Sequence, residues 1–149
     1  MRIRHLNHSV YQVSYHLVWG TKYRRKIIKH YVRAELIKSI YKALKRHPDW
    51  YLYKINTGDE HVHLLLEFPP SYSVATVVQD LKSNTSSDLR KKFKYINKIY
   101  NHSGIWSVGY FVSTVGLNED AIKRYIELQN NYDRGVDVSD EISSPNSHE

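Results

Sequence analysis

The chain contains no cysteine, which excludes disulfide bridges, cysteine-ligated zinc sites and thiol nucleophiles. No apolar run approaches the roughly 18 residues that would cross a membrane. The first residues, MRIRHLNHS, carry charge but lack the apolar segment of a secretory signal peptide. Neither a glycine-rich phosphate loop nor a G-x-S-x-G motif occurs. These absences predict a cytoplasmic protein without a membrane partner or a nucleotide cofactor.

Charge is distributed unevenly along the 149 residues, a length that predicts one domain. Residues 131–149 hold five acidic side chains against Arg134 alone, a net charge of −4, whereas the whole chain has +7. Residues 1–130 therefore carry +11. We expect a folded domain over residues 1–132 and an acidic, disordered tail over residues 133–149.

The chain combines this basic region with 19 aromatic residues (13 Tyr, 3 Trp and 3 Phe). Such a composition favours binding of nucleic acid, a polyanion whose bases can stack on aromatic rings. Candidate DNA contacts are the basic loop of Lys22, Arg24, Arg25 and Lys26 and the cluster around Lys91, Lys92, Lys94 and Lys98. Trp19, Trp106 and Tyr23 are candidates for base stacking. Each basic cluster could equally be an ordinary solvated surface.

The first half of the chain predicts a strand, a helix and a hairpin. Apolar residues alternate over Val10–Thr21, which is typical of a strand, and recur at helical spacing over Tyr31–Arg46. Trp50–Asn56 and His61–Phe68 then predict two strands joined by Thr57-Gly58-Asp59, in which glycine would supply the positive φ of the turn.

The second half predicts a helix, a strand and a final helix. Ser73 is a natural N-cap for a helix that reaches about Phe93, Trp106–Val115 predicts a fourth strand, and Asn118 would cap the last helix. The order β-α-β-β-α-β-α matches the α+β, ferredoxin-like (RRM-like) split βαβ fold, a four-stranded antiparallel sheet with helices on one face. A fold this widely shared does not identify a function.

Two histidines, His61 and His63, flank Val62 on the third predicted strand. The period of two places both imidazoles on one face, about 7 Å apart along the strand. Two imidazoles on an open sheet face could hold one metal ion, although they could equally be ordinary surface histidines. Asp59, Glu60 and Glu67 lie near enough in sequence to act as acid, base or supporting groups, or to be turn and rim charges.

Tyr125 and Gln129 are four residues apart on the last predicted helix and therefore share a face. A tyrosine can act as a nucleophile that forms a covalent intermediate, and a glutamine carbonyl is a hard oxygen ligand. The alternative is that Tyr125 packs in the core with Ala121, Ile122 and Leu128. Periodicity alone does not separate the two interpretations.

Four longer stretches resemble, in the same order, motifs of the small HUH-type single-tyrosine transposases of insertion sequences that move as single-stranded DNA. They are YHLVWGTKYRR (Tyr15–Arg25), EHVHLLLEFPPS (Glu60–Ser71), LKSNTSSDLRKKF (Leu81–Phe93) and WSVGYFVSTVG with IKRYIELQ (Trp106–Gln129). Two departures occur: Glu60 stands where the family usually has Asp, and Ser107-Val108-Gly109-Tyr110-Phe111 stands where it often has S-P-S-Y-F.

The resemblance implies a role for each candidate residue. His61 and His63 match the HUH pair, Tyr125 matches the nucleophile, and Gln129 matches the residue that completes the metal site. Mg²⁺ or Mn²⁺ is the implied metal. The resemblance also implies a homodimer, in which the tyrosine can serve its own or its partner's histidines, and a single-stranded DNA substrate with subterminal hairpins.

The implied activity is cleavage and rejoining of single-stranded DNA at insertion-sequence ends by metal-assisted transesterification. The phenol oxygen of Tyr125 would form a 5′-phosphotyrosine intermediate and release a 3′-hydroxyl. Two alternatives stay open. One is a domesticated REP-associated tyrosine transposase, and the other is a non-enzymatic module that binds single-stranded nucleic acid on the same fold.

Overall fold

A computed structural model of the chain describes residues 4–5, 10–11, 13–114 and 119–135. Its main sheet contains four strands, β3 (Ser14–Gly20), β4 (Tyr51–Thr57), β5 (His61–Glu67) and β6 (Phe111–Ser113), and a separate pair joins β1 (Arg4–His5) to β2 (Val10–Tyr11). The main sheet is antiparallel, with the spatial order β4-β5-β3-β6. This arrangement confirms the predicted α+β, ferredoxin-like fold.

Four α-helices accompany the sheet: α1 (His30–Leu44), α2 (Val74–Lys92), α3 (Lys94–Ile99) and α4 (Glu119–Asp133). A short 3-10 helix, η1, covers Lys22–Arg24. Among the described parts of the chain, no helix is both long and apolar enough to span a membrane.

The main core lies between one face of the sheet and helices α1 and α2. The predicted inward positions of α1 are all buried, and they pack with the alternate residues of β3 and β5. These buried residues are Val32, Leu36, Ile40 and Ala43 of α1, Leu17 and Trp19 of β3, and Val62, Leu64 and Leu66 of β5. Ser73 caps α2 as predicted, since its hydroxyl accepts the backbone N–H of Thr76 at 3.0 Å.

Helix α4 lies on the opposite face of the sheet. There, Val18 of β3 packs with Ile122 and Ile126 of α4 in a second, smaller apolar cluster, against which Phe111 and Tyr125 also pack. The register places Val18 opposite His63 and Gly20 opposite His61. Since directly paired residues share a face, α4 covers the side of the sheet that bears the two histidines.

The fourth strand is shorter than predicted. Pairing is limited to Phe111–Ser113 within the described residues, and Trp106 forms only an isolated bridge with Thr21. The carbonyl oxygens of Ser107 and Gly109 accept hydrogen bonds from Nζ of Lys82 instead of pairing with a strand. Gly109 has a φ of +90°, which a strand does not allow.

The prediction that Trp19 and Trp106 are available for base stacking is wrong. Trp19 is fully buried and Trp106 is 8% exposed, with the two rings packed edge to face at a centroid distance of 6.1 Å. Nε1 of Trp106 also donates to Oγ1 of Thr85 at 3.0 Å. Both indoles therefore belong to the core, as large aromatic rings often do.

Several other boundaries differ from the sequence predictions or lie outside the described residues. The strand predicted over Val10–Thr21 is divided between β2 and β3, and α3 was not predicted because its six residues bury only Ile96. Asn118, the predicted cap, lies outside the described residues. Helix α4 continues to Asp133, one residue beyond the predicted domain boundary, and the tail from residue 136 onward is also outside the description.

Candidate active site

The histidine pair, His61 and His63, lies on the face of β5 that points away from the main core. The two imidazole rings stack with a centroid distance of 5.1 Å and an interplanar angle of 26°. The intervening Val62 is fully buried on the other face. Strand geometry thus brings two nitrogen ligands side by side on the sheet surface that α4 partly covers.

Glu60 orients the first of these rings. One carboxylate oxygen of Glu60 lies 2.9 Å from Nδ1 of His61. Because an ionised carboxylate only accepts hydrogen bonds, the contact selects Nδ1 as the donor, and the neutral form of the ring then offers the lone pair of Nε2. Such a carboxylate contact fixes the tautomer and the orientation of many metal-binding histidines. Of the two roles that the sequence left open for Glu60, the contact favours a supporting group.

Gly58 is required by the His61 ring rather than by the turn. The turn is closed by a hydrogen bond of 2.9 Å from the N–H of Gly58 to the carbonyl oxygen of His61. Positive φ occurs at Gly109 and Gly135 among the described glycines, so the positive φ expected for Gly58 is wrong. A Cβ at position 58 would lie 2.4 Å from Cε1 of His61, closer than side-chain carbons approach one another.

The carboxylate of Asp133 fixes the C-terminal end of α4. One of its oxygens accepts the backbone N–H of Tyr23 at 3.0 Å and also the hydroxyl of Ser107. These bonds connect α4 to η1 and to the segment that precedes β6. A carboxylate with two such donors restrains the helix along its axis, and with it the side chains of Tyr125 and Gln129.

Tyr125 and Gln129 meet at Gly109. A Cβ at position 109 would lie 3.8 Å from the phenol oxygen of Tyr125 and 3.4 Å from Nε2 of Gln129. The phenol oxygen and Oε1 of Gln129 are both buried, and neither has a hydrogen-bond partner among the described residues. A buried polar atom without a partner costs free energy, and such atoms are common where a ligand binds.

The surroundings keep Tyr125 protonated in the free protein. Burial, and to a smaller extent the negative charge of Asp133, raise the pKa of the Tyr125 phenol well above its ordinary value. The ring packs near Phe111, with a centroid distance of 6.3 Å. The two interpretations of Tyr125 are therefore compatible, since the ring is packed while the oxygen has no partner among the described residues.

Lys82 holds the segment against which Tyr125 and Gln129 lie. Its ammonium group donates to the carbonyl oxygens of Ser107 at 2.7 Å and Gly109 at 2.6 Å. Burial lowers the pKa of Lys82 to about 8, and the nearby charge of Asp133 partly opposes that shift. The sequence analysis missed the roles of Lys82 and Asp133, although Lys82 lies inside one of the recognised motifs.

The remaining acidic candidates lie outside this site. Asp59 forms exposed ion pairs with Lys29 at 3.8 Å and Arg33 at 3.9 Å, as a turn charge would. Glu67 is 1% exposed and accepts a long hydrogen bond of 3.5 Å from the hydroxyl of Tyr53. Glu67 is four residues beyond His63 on the strand, which separates the two residues by about 13 Å.

Two residues of the basic loop, Lys22 and Arg25, contact other residues of the same chain. Arg25 donates to the carbonyl oxygen of Ile99 at 2.6 Å, and its guanidinium lies over the rings of Tyr23 and Tyr100. Lys22 also lies over the Tyr23 ring. Arg24, Lys26, Lys91 and Lys92 are exposed. DNA contact by any of these residues stays a prediction.

The set of possible metal ligands is small. No group of three or more His, Cys, Asp or Glu side chains is arranged to hold a metal ion in the described part of the chain. The candidate set consists of two imidazoles and the amide oxygen of Gln129. Nitrogen and amide-oxygen ligands together suit Mn²⁺ at least as well as Mg²⁺.

Comparison with known proteins identifies the family. The family model for IS200-like transposases matches residues 9–129, which include the histidine pair, Tyr125 and Gln129. This chain belongs to the IS200-like transposase family. The resemblance noted in the sequence is thereby confirmed, and the protein is a DNA transposase.

Individual relatives agree with this assignment. The transposase is 30% identical over 143 residues to the transposase for insertion sequence element IS200 of Salmonella typhimurium, covering 94% of this chain and 90% of that protein. It is 29% identical over 121 residues to the ISDra2 transposase TnpA of Deinococcus radiodurans, covering 80% and 86% of the two chains.

Solved structures match the fold. A crystal structure of a candidate transposase from Deinococcus radiodurans superposes with a TM-score of 0.76 at 27% identity, covering 85% of this transposase and 97% of that chain. A REP-associated tyrosine transposase bound to a REP hairpin superposes with a TM-score of 0.52 at 12% identity, covering 89% and 74%. The second likeness concerns the fold alone.

Gly58→Ala should displace His61 without unfolding the transposase. The added methyl group would overlap the imidazole ring, which can rotate away because it lies at the end of a side chain. We expect a melting temperature close to that of the wild type. We also expect at least a tenfold loss of Mn²⁺ affinity, measured by calorimetry, because the orientation of a metal-binding histidine strongly affects affinity.

Gly104→Ala is the matched control. A Cβ at that position would meet only Oγ of Ser86 at 3.9 Å, which is an ordinary contact. Equal Mn²⁺ affinity in the two glycine variants would contradict the role assigned to Gly58.

Proposed function

We propose that this transposase cleaves and rejoins single-stranded DNA at insertion-sequence ends by transesterification, with Tyr125 as the nucleophile. The observation that carries the proposal is the buried phenol oxygen of Tyr125, which has no hydrogen-bond partner among the described residues and lies beside Gly109 and Gln129. A tyrosine that served only as core would normally satisfy its hydroxyl group.

The proposed reaction conserves the energy of the phosphodiester. The phenol oxygen of Tyr125 bonds to phosphorus, and the bond from phosphorus to the 3′ oxygen breaks. The phenol loses its proton to solvent, and the departing 3′ oxygen takes a proton from solvent to become a 3′-hydroxyl. The product is a 5′-phosphotyrosine. Attack by a 3′-hydroxyl on this linkage reverses the chemistry and joins new ends, so no nucleotide cofactor is needed.

The chain's own residues fit a divalent cation. The neutral form of His61 that donates from Nδ1 to Glu60 offers the lone pair of Nε2. His63 stacks beside it, and Oε1 of Gln129 is a buried acceptor without a described partner. We propose that these three residues hold Mg²⁺ or Mn²⁺. When bound, the ion would polarise the phosphate and stabilise the charge that develops on it.

The proposed substrate is single-stranded DNA with subterminal hairpins, handled by a homodimer in the bacterial or archaeal cytoplasm. The REP-associated transposase of similar fold was solved with a REP hairpin. Identity of 30% to an IS200 transposase over 94% of the chain favours the mobile-element role over the domesticated one. Family membership likewise favours an enzyme over a binding module.

Tyr125→Phe should abolish covalent capture of DNA while preserving DNA binding. The substitution removes one oxygen that makes no described hydrogen bond, so the packing of α4 should survive. Wild-type protein incubated with an oligonucleotide labelled on the 3′ side of the cut should give a denaturant-resistant protein–DNA band, and the variant should give none.

Tyr132→Phe is the control for this experiment, because Tyr132 lies on the same helix and is 56% exposed. A band that persists in Tyr125→Phe and disappears in Tyr132→Phe would show that the nucleophile is misassigned. A wild-type protein that never forms the band on its own flanking DNA would refute the mechanism.

Removal of the metal should stop cleavage and leave hairpin binding largely intact. EDTA, His61→Ala and His63→Ala should each reduce the cleavage rate by at least 100-fold, since each removes the Lewis acid or one of its few ligands. Added Mn²⁺ or Mg²⁺ should restore the EDTA-treated wild type. Cleavage by either histidine variant at the wild-type rate in EDTA would exclude the metal.

Mixed dimers should reveal which protomer supplies each nucleophile. Helix α4 packs on β3 of its own chain, so we expect each protomer to contain a complete site. A dimer of one His61→Ala protomer and one Tyr125→Phe protomer should then be inactive. A composite site would instead restore one active centre, and cleavage by the mixed dimer would overturn the expectation.

The oligomeric state of the wild-type protein can be measured directly. Light scattering should give about twice the monomer mass of 17.6 kDa. A single species at the monomer mass in micromolar solution would contradict the proposed homodimer.

A further inference from the structure

Two concave surfaces between α2, α3 and the segment before β6 share Arg90 in their lining. The first has a volume of about 380 Å³ and extends from Arg90 past Lys82 to Gly109. The second has a volume of about 680 Å³ and extends from Arg90 to Lys94, Lys98 and His102. We name the combined surface the α2–α3 trough.

The described lining of the α2–α3 trough carries cations and no carboxylate. Its charged residues are Lys82, Arg90, Lys91, Lys94 and Lys98. The guanidinium of Arg90 donates to Oγ of Ser86 at 3.3 Å and to the carbonyl oxygen of His102 at 3.2 Å, and both acceptors are neutral. The positive charge of the trough is therefore not cancelled by the groups that line it.

The surface between α1 and α2 provides a contrast. It is also rich in lysine, but acidic side chains share its lining. Lys38 pairs with Glu35 at 3.4 Å, and Lys42 pairs with Asp88 at 3.4 Å. Lys38 and Lys42 are thus paired with carboxylates, whereas Lys94 and Lys98 of the trough form no such ion pair among the described residues.

The trough ends at the candidate active site. Gly109 forms a wall of the trough, and a Cβ at Gly109 would lie 3.8 Å from the phenol oxygen of Tyr125 and 3.4 Å from Nε2 of Gln129. Lys82 holds this wall in place through the carbonyl oxygens of Ser107 and Gly109. A polyanion lying along the cations would reach this wall, where the Asp133 carboxylate, which accepts from the Ser107 hydroxyl, is the described negative charge that acts on Lys82 and Tyr125.

The lining also indicates which part of the polyanion is recognised. Two ring-bearing residues occur in the described lining: Trp106, which is only 8% exposed, and His102, whose Nδ1 is hydrogen-bonded to the side chain of Asn97 at 2.6 Å. Base stacking needs an exposed ring, whereas lysine and arginine contact phosphates irrespective of sequence. The trough therefore suits a sugar–phosphate backbone.

We propose that the α2–α3 trough binds the sugar–phosphate backbone of the DNA strand that leads to Tyr125, with Lys94 and Lys98 as phosphate contacts. The proposal rests on the proposed function for the identity of the polyanion. It assigns the trough a positional role, in which it delivers a strand of any sequence to the nucleophile.

A comparison of two double variants tests the trough. Lys94→Gln/Lys98→Gln removes two trough cations, and Lys38→Gln/Lys42→Gln removes two that pair with carboxylates. The probe is a fluorescein-labelled thymidine 20-mer, titrated by anisotropy at several salt concentrations. Loss of two phosphate contacts should make the slope of log affinity against log salt shallower by about 1.4, since each contact contributes about 0.7 for single strands.

The control variant should keep the wild-type slope. Equal slopes for the two double variants, with circular dichroism showing both folded, would overturn the proposal. The slope does not depend on cleavage, so a transposase that binds along the trough but forms no phosphotyrosine would refute the proposed function alone.

Crosslinking gives a second, independent measurement, because the chain has no cysteine of its own. Benzophenone attached at Lys94→Cys should crosslink to the thymidine 20-mer at least fivefold more than benzophenone attached at Lys38→Cys. Equal crosslinking from the two exposed positions would place the strand elsewhere and overturn the proposal.

Discussion

The site depends on the close approach of α4 to β3, which the absence of a side chain at position 20 allows without a shift of Ile126. A Cβ on Gly20 would lie 3.0 Å from Cδ1 of Ile126 and 3.3 Å from the carbonyl oxygen of Glu60. Because Gly20 pairs with His61 in the sheet, the helix that bears Tyr125 comes to rest beside the histidine pair. Asp133 then fixes the far end of the helix. A side chain at position 20 would therefore crowd both the helix that carries Tyr125 and the backbone at Glu60, which lie about 65 residues apart in the chain.

The sequence predicted those features that depend on local periodicity. The alternation in β5 correctly divided Val62 and Leu64 from the two histidines, and the helical spacing of α1 correctly identified its buried residues. The hydroxyl of Ser73 and its position before an apolar run were sufficient to predict the cap of α2. Long motifs, taken together, identified the family that the comparisons confirm.

Features that depend on tertiary contacts were not predictable in the same way. The placement of α4 on the histidine face requires contacts between Val18, Ile122 and Ile126, which no local pattern specifies. Trp19 and Trp106 looked like stacking platforms because their residue type is compatible with both roles, and only packing shows them to be core. Gly58 illustrates the same limit, since its small size is needed by a ring three residues away rather than by its own backbone.

The division of the apolar interior into two clusters has a thermodynamic consequence. The main core lies beneath α1 and α2, whereas α4 is held by a separate, small cluster and by hydrogen bonds at one end. Regions with few buried apolar contacts open by local unfolding at a lower free energy than the whole domain. The helix that carries Tyr125 is therefore expected to open as its own unit. Its backbone amides should exchange with solvent faster than those of β3 and β5, so that Tyr125 can separate from the histidine face and return while the sheet stays folded.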